Sequence, residues 1–347
     1  MEITTIGFDL AKLVFQVHAV NKSGTAVLRK RLRRAVVLPF FAGADACLVG
    51  MEACATAHHW ARELTMLGHT VKLMPPAYVK PYVKRGKNDA ADAEAICEAV
   101  GRPNMRFVPV KSTDQQAVLM LHRTRALLVR QRTMLANALG AHLAEFGIIV
   151  AQGLGSVGAL IAKIFGESTE TAELPRLARI ALQPLAGQFL QLHPQIKALE
   201  VEIVAWHRTN EESRRLETIP GVGVLTATAI AATVTDPSHF RSGREFAAWL
   251  GLVPRQNSSG GKKRLGHMSK MGDGYLRSLL FVGATAVIRF ARSRSSPGTA
   301  GINGLLARKP AKLVAAALAN KMARVAWAVL ARQEAYRAPA LAACGDH

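Results

Sequence analysis

The sequence is short of acidic residues: 24 Asp+Glu stand against 45 Lys+Arg, a formal net charge of +21 on 347 residues. That imbalance disfavours an enzyme acting on small cations and favours a polyanionic partner, nucleic acid or an anionic membrane surface. Cysteine is scarce as well. Cys47, Cys54, Cys97 and Cys344 show no C-x-x-C spacing, so they read as reduced thiols of a cytosolic protein. Eleven histidines include no H-E-x-x-H, which leaves a zinc site little support. Long uninterrupted apolar runs are missing. Val222–Val234 and Leu279–Ile288 are shorter than a bilayer span, and Ala311–Leu330 carries Lys312, Lys321 and Arg324. The opening residues Met1–Thr5 lack a basic n-region and an apolar h-region, so neither a signal peptide nor a membrane partner is expected.

What is present is ample for folding. Half of the residues are hydrophobic, and the length suits two or three domains. Residues 1–111 alternate strand-like and helix-like patterns. Ile3–Asp9 and Leu13–Val20 form a hairpin pattern, and Ala46–Glu52 reads as a buried strand. Ala55–Leu67 reads as a helix stopped by Gly68, and Thr70–Met74 as a strand closed by Pro75-Pro76. Asp89–Val100 is helical, and Arg106–Val110 is expected as a last strand. The order indicates an α/β sheet domain.

A different texture begins at Ser112, where Ser112-x-x-Gln115 is a capping box opening a long helix. Met120, Leu127 and Met134 recur every seven residues, as do Leu121, Leu128 and Leu135. This suits a coiled coil, a helical hairpin, or two core helices of a bundle. Glycines and prolines follow, including Pro175, Pro184 and Pro194, before a second helix with Ile196, Leu199, Ile203 and Trp206 on one face. From Leu216 a third unit is expected, mostly α-helical. Its parts are Ile219-Pro220-Gly221-Val222-Gly223, helices over Val224–Val234, Phe240–Leu250, Tyr275–Arg289 and Ala311–Leu330, and a Gly/Ser/Lys-rich loop at Arg255–Gly274. The expected division is therefore 1–111, 112–215 and 216–347. Charge divides unevenly among them, at net +7, +2 and +12, so the basic ends face the polyanion.

Four carboxylates stand out by position. Asp9 and Glu52 end apolar strands, and Asp89 and Asp92 share one face of a helix start. Singly, each also suits a turn, a strand end, an N-cap or a dipole partner. Together they form a set of hard oxygen ligands suited to Mg²⁺, and two such ions clamp a phosphoryl transfer. Glu94 and Glu98 on the same helix read as solvated. Arg29-Lys30-Arg31 with Arg33-Arg34 touches nucleic acid or faces solvent.

Pro220-Gly221-Val222-Gly223 resembles a helix-hairpin-helix turn, although an ordinary helix connection has the same look. In Pro254–Lys270, Ser258 and Ser259 precede two glycines and then Lys262, Lys263 and Arg264, with Arg255 and Lys270 flanking. The cations suit phosphate neutralisation. A hydroxyl in that field is a candidate nucleophile, and a DNA-binding loop without chemistry is the alternative.

With these residues in view the sequence resembles the IS110 family of transposases, and within it the IS1111 branch. The motifs are I-G-F-D-L-A-K at Ile6–Lys12, G-M-E-A at Gly50–Ala53, K-N-D-A-x-D-A at Lys87–Ala93 and I-P-G-V-G at Ile219–Gly223. A fifth, G-L-V-P-R-Q-x-S-S-G-G-K-x-R-L-G-x-x-S-K-x-G-D at Gly251–Asp273, is long and specific. The resemblance implies an α/β RuvC-like (RNase H-like) N-terminal domain whose DEDD tetrad, here Asp9, Glu52, Asp89 and Asp92, binds Mg²⁺. It implies a helical coiled-coil middle, serving as spacer and oligomerisation region. A mostly α-helical C-terminal transposase domain follows, with a nucleophilic serine at Ser259 and Ser258 as its neighbour. It further implies joining of donor and target double-stranded DNA through a phosphoserine, guided by a noncoding bridge RNA. Dimers would pair into tetramers in the synapse, in the bacterial cytoplasm on the nucleoid. The tetrad and the serine lie far apart in sequence, so the expected active site is composite. The alternative is a RuvC-like Mg²⁺-dependent DNA nuclease or junction resolvase without a covalent intermediate.

Overall fold

The structure is a computed structural model that describes all residues except 1, 85–88, 150, 152, 166–173, 259, 263, 294–299 and 338–347. The chain forms two compact units, Met1–Thr113 and Asp114–His347.

The first unit is built on a five-stranded mixed sheet of order β3-β2-β1-β4-β5. Its strands are β1 (Thr5–Asp9), β2 (Val14–Val20), β3 (Ala26–Arg33), β4 (Leu48–Glu52) and β5 (Thr70–Met74). β1, β2 and β3 form an antiparallel meander, whereas β1, β4 and β5 run parallel. One face carries Ile6, Phe8, Phe15 and Val17, all buried. It packs on helices α1 (Val37–Ala42) and α2 (Ala57–Met66). Phe8, Phe15, Phe41 and Trp60 form an aromatic cluster with ring centroids 5.1–6.4 Å apart. Each such burial contributes about 1.5–3 kcal/mol. A short α3 (Pro76–Val79) leads towards α4 (Asp89–Val100), which covers the opposite face.

The basic run Arg29–Arg33 lies on edge strand β3, its cations exposed and Leu32 buried against the core. One sequence expectation needs correction here. Arg106–Val110 is no strand: only Val108 bridges to Leu73, donating its N–H to the Leu73 carbonyl at 2.7 Å. Pro109 has no N–H with which to extend the ladder.

Among the described residues the second unit is helical apart from one hairpin. Its long helices are α5 (Thr113–Ala144) and α7 (Arg176–Thr209), with α6 (Leu154–Phe165) between them. Ala136, Leu139, Val157, Ile161, Leu182 and Phe189 from these three form a small core. Arg125 of α5 pairs with Glu200 of α7 at 2.6 Å. Met120, Leu127 and Met134 lie on the outside of α5 and are exposed. α7 runs unbroken through Pro184 and Pro194, where the sequence pattern placed an interruption. A proline inside a helix costs about 3 kcal/mol or more. Both prolines sit on the exposed side, where water can satisfy the freed carbonyls, while Leu182, Ala186, Phe189, Leu192 and Ile196 hold the buried side in place.

The remaining helices are α8 (Glu211–Glu217), α9 (Val224–Thr233), α10 (Gly243–Trp249), α11 (Gly274–Ser293), α12 (Ala300–Leu306) and α13 (Ala311–Arg332). α8, α9, α10, α11 and α13 all contribute to a larger core that includes Leu216, Ile230, Phe246, Leu280 and Ala319. α11 and α13 are long and apolar enough to cross a membrane by length and composition. Here each turns its apolar face into that core, at Leu276, Leu280, Ala284 and Ile288 of α11 and Val314, Ala319, Met322 and Ala326 of α13. The turn before α9 is sterically fixed. Gly221 has φ +85°, and a Cβ there would meet Val287 Cγ2 at 2.7 Å and the Gly283 carbonyl at 3.0 Å.

Candidate functional site

Asp9 and Glu52 sit at the C-terminal ends of adjacent parallel strands. Gly7 pairs with Gly50, so Asp9 and Glu52, each two residues further on, share the face covered by α4. α4 lies unusually close to that face. A Cβ on Gly7 would fall 2.1 Å from the Ala93 carbonyl oxygen and 2.5 Å from the Cys97 nitrogen. One on Gly50 would fall 2.7 Å from Val100 Cβ. The two glycines thus let the helix descend onto the sheet and bring its first turn, with Asp89 and Asp92, over the strand ends.

Asp9, Asp89 and Asp92 each offer a carboxylate oxygen, all within 4.8 Å of one another. Glu52 stands outside that tight set but is close enough for its charge to raise the Asp9 pKa. The Asp9 carboxyl is pushed up from 3.8 to about 6, first by burial and then by the charges of Asp92, Glu52 and Asp89. Glu52 is raised for the same two reasons, burial and then Asp92. Oxygen donors that repel one another to this degree suit a hard divalent cation, which relieves the repulsion. The donor set therefore fits such an ion.

Glu94 and Glu98 are not simply solvated. Glu94 accepts from Lys84 at 2.5 Å and pairs with Arg29 at 3.7 Å, and Glu98 pairs with Arg102 at 2.5 Å. The Arg29 pair ties α4 to edge strand β3, and the Lys84 pair ties it to the segment that leads into it.

In the second unit the Gly/Ser/Lys-rich stretch is a β-hairpin rather than an irregular loop. Its strands are β6 (Pro254–Gln256) and β7 (Leu265–Met268). Arg255, Lys262, Arg264 and Lys270 are all exposed on it. Ser259 and Lys263 lie outside the described residues. Ser258 is engaged locally, its hydroxyl accepting from the Arg264 N–H at 3.1 Å. Gly260 and Gly261 have φ +55° and +75° with open space around them, so they serve the turn rather than close packing. The hairpin base is rigid: a Cβ on Gly251 would meet the Met271 carbonyl at 2.1 Å, and one on Gly272 the Trp249 carbonyl at 1.8 Å.

The sequence reading missed Gly7 and Gly50. The signal was there: a glycine two residues before each strand-end carboxylate, inside an otherwise apolar strand, marks close backbone approach on the carboxylate's own face.

Carboxylates gathered at one end of a mixed sheet, in a chain carrying +21, define a class: a DEDD nuclease-like enzyme that works on nucleic acid. Residues 6–148 match a family model of the DEDD IS110 type described as a transposase, and residues 213–297 match the transposase IS116/IS110/IS902 family. A probable family 20 transposase of Pseudomonas aeruginosa is 50% identical over 338 residues, covering 97% of this chain and 99% of that one. The transposase for insertion sequence element IS1328 of Yersinia enterocolitica is 42% identical, over 94% of this chain and 96% of its own. That for element IS1111A of Coxiella burnetii is 38% identical, over 97% and 92%. The chain belongs to the IS110 family of insertion-sequence transposases, and DNA strand cleavage and rejoining is its class of activity.

Proposed function

We propose that this transposase joins donor and target DNA through a phosphoserine on Ser259, with a RuvC-like first domain that holds Mg²⁺ on Asp9, Glu52, Asp89 and Asp92. The observation that carries the reading is the convergence of Asp9, Asp89 and Asp92 within 4.8 Å at the ends of parallel strands. When bound, Mg²⁺ supplies polarisation of the phosphate and neutralisation of the charge that develops on it. The four carboxylates orient that ion and, as anions, exclude any phosphate that arrives without it. The Ser259 oxygen forms a bond to phosphorus and gives its proton to solvent, while the bond to a sugar oxygen breaks and that oxygen takes up a proton from solvent to leave as a free hydroxyl. A sugar hydroxyl of the other duplex then attacks the phosphoserine, which restores Ser259 and completes the exchange. Lys262, Lys263, Arg264, Arg255 and Lys270 hold the DNA backbone beside the serine.

The same reading includes a noncoding bridge RNA that selects the DNA, and dimers that pair into tetramers through a coiled coil. The exposed Met120, Leu127 and Met134 at seven-residue spacing support that interface, and the +12 of the last third supports a second polyanion. The protein would act in the cytoplasm, on nucleoid DNA.

The test is a trapping reaction on labelled donor and target DNA, with and without copurified RNA. An RNA- and Mg²⁺-dependent protein–DNA adduct mapping to Ser259 is expected. Ser259→Ala should lose the adduct and keep DNA binding. An adduct that survives in Ser259→Ala refutes the assignment, and cleavage without any adduct establishes the metal-nuclease alternative.

A further inference from the structure

The register of the sheet places a second group of charges beside the carboxylates. Asp9 pairs with Gln16, and Gln16 pairs with Arg31, so the three form one row across β1, β2 and β3. Directly opposed residues project to the same face, so Arg31 stands on the carboxylate face, two strands or about 10 Å from Asp9. Arg29 and Arg33 alternate onto that face with it, and the three follow one another at about 6.6 Å. This spacing is close to that of successive phosphates on one nucleic-acid strand. A cavity of about 370 Å³ is lined by Gln16, His18, Arg29, Arg31 and Asp89, so Arg29 and Arg31 share one concavity with Asp89 of the acidic site. Arg29 is partly neutralised by Glu94 at 3.7 Å. Arg31 and Arg33 are exposed and have no ion-pair partner among the described residues.

We propose that Arg31 and Arg33 on edge strand β3 bind consecutive phosphates of the DNA strand being cut and align the phosphate between them and Asp9 with the carboxylate site. They are positioning residues for the strand, with Arg29 as the link that ties the row to α4 through Glu94. The proposal rests on the carboxylate reading above. Exposed cations on an edge strand also discourage strand-to-strand aggregation, but that role predicts no specific effect on nucleic-acid binding.

The experiment titrates the full chain with a labelled DNA duplex and, separately, an RNA of equal length, in EDTA over a range of potassium chloride concentrations. Removing one phosphate-binding cation should make the plot of log K against log salt shallower by about 0.9. Arg31→Ala/Arg33→Ala should therefore take about 1.8 from the DNA slope and leave the RNA slope unchanged. Arg31→Lys/Arg33→Lys should restore most of it. Lys22→Ala, in the exposed turn between β2 and β3, should change neither slope. A photo-cross-linker attached at Arg31→Cys should label the cut strand close to the cleaved phosphate. An unchanged DNA slope overturns the proposal in favour of edge protection, and a change confined to the RNA slope overturns it in favour of an RNA site. Mn²⁺ binding, read by electron paramagnetic resonance, separates the two readings. Ion binding kept in the arginine variants and lost in Asp9→Asn leaves the slopes to decide the arginine row. A wild-type chain that binds no Mn²⁺ removes the carboxylate reading itself.

Discussion

The two units use glycine beside their charged residues in opposite ways. At the carboxylate site Gly7 and Gly50 lie in regular strands, and what matters is the missing Cβ, whose place is taken by the α4 backbone and by Val100. At the basic hairpin Gly260 and Gly261 have nothing nearby, and what matters is a positive φ. The acidic site is thus a product of packing, and its geometry exists only while helix and sheet are pressed together. The turn of the basic hairpin is set by local backbone conformation, its base is packed through Gly251 and Gly272, and Arg255, Lys262, Arg264 and Lys270 are exposed on it. Mutually repelling anions need a rigid frame to hold them within 4.8 Å, whereas the exposed cations of the hairpin need none.

The sharpest way to break this comparison is to change charge without changing shape. Asp9→Asn should lower strand transfer by about 10²–10³-fold, the scale of losing one preorganised electrostatic group, with DNA binding kept. A gel assay of joined product against a filter-binding curve reads both. Next comes the steric contrast. Gly7→Ala should destabilise the chain by about 1–3 kcal/mol through overpacking against the Ala93 carbonyl, and should weaken divalent-ion binding with it. Gly260→Ala should cost about 1–2 kcal/mol of turn strain at most and leave ion binding intact. Urea midpoints and an ion titration on both variants decide the point.

The proton is a finer probe. Asp9 holds its proton more tightly when folded, at about 6 against 3.8. The metal-free chain should therefore lose stability as pH rises from about 4 to 6 and level off above, and Asp9→Asn should flatten that slope. In the same window divalent-ion affinity should rise with pH, since the ion competes with the proton for one carboxylate. Thermal melts in EDTA and calorimetric titrations at stepped pH measure the two. The smallest effect belongs to the hairpin: Lys262→Ala or Arg264→Ala should each make the salt dependence of DNA binding shallower by about 0.9 without a change in melting temperature.

Much of the site was legible in the residues. Strand ends at Asp9 and Glu52 and a helix beginning at Asp89 follow from apolar runs that stop at carboxylates and from Gly101 and Pro103 beyond the helix. Their convergence was legible only as chemistry, because D…E…D-x-x-D makes sense if the four meet. The basic run at 29–34 resisted, since its strand is an edge whose alternation is masked by cations on both faces. The continuity of α7 resisted as well, because local rules end a helix at Pro184 or Pro194, while the buried side from Leu182 to Ile196 outweighs them.

Composition, periodicity and capping are local, or sum over the chain, and by themselves they pointed to a polyanionic partner, an α/β start and a helical remainder, and singled out four candidate carboxylates. Only the tertiary structure decided that α4 rests directly on Gly7 and Gly50, that Asp9, Asp89 and Asp92 come within 4.8 Å, and that Arg31 stands in the Asp9 row. Those facts depend on strand register and on the distance between a helix and a sheet. Both are settled by contacts between residues far apart in sequence, which no local pattern records.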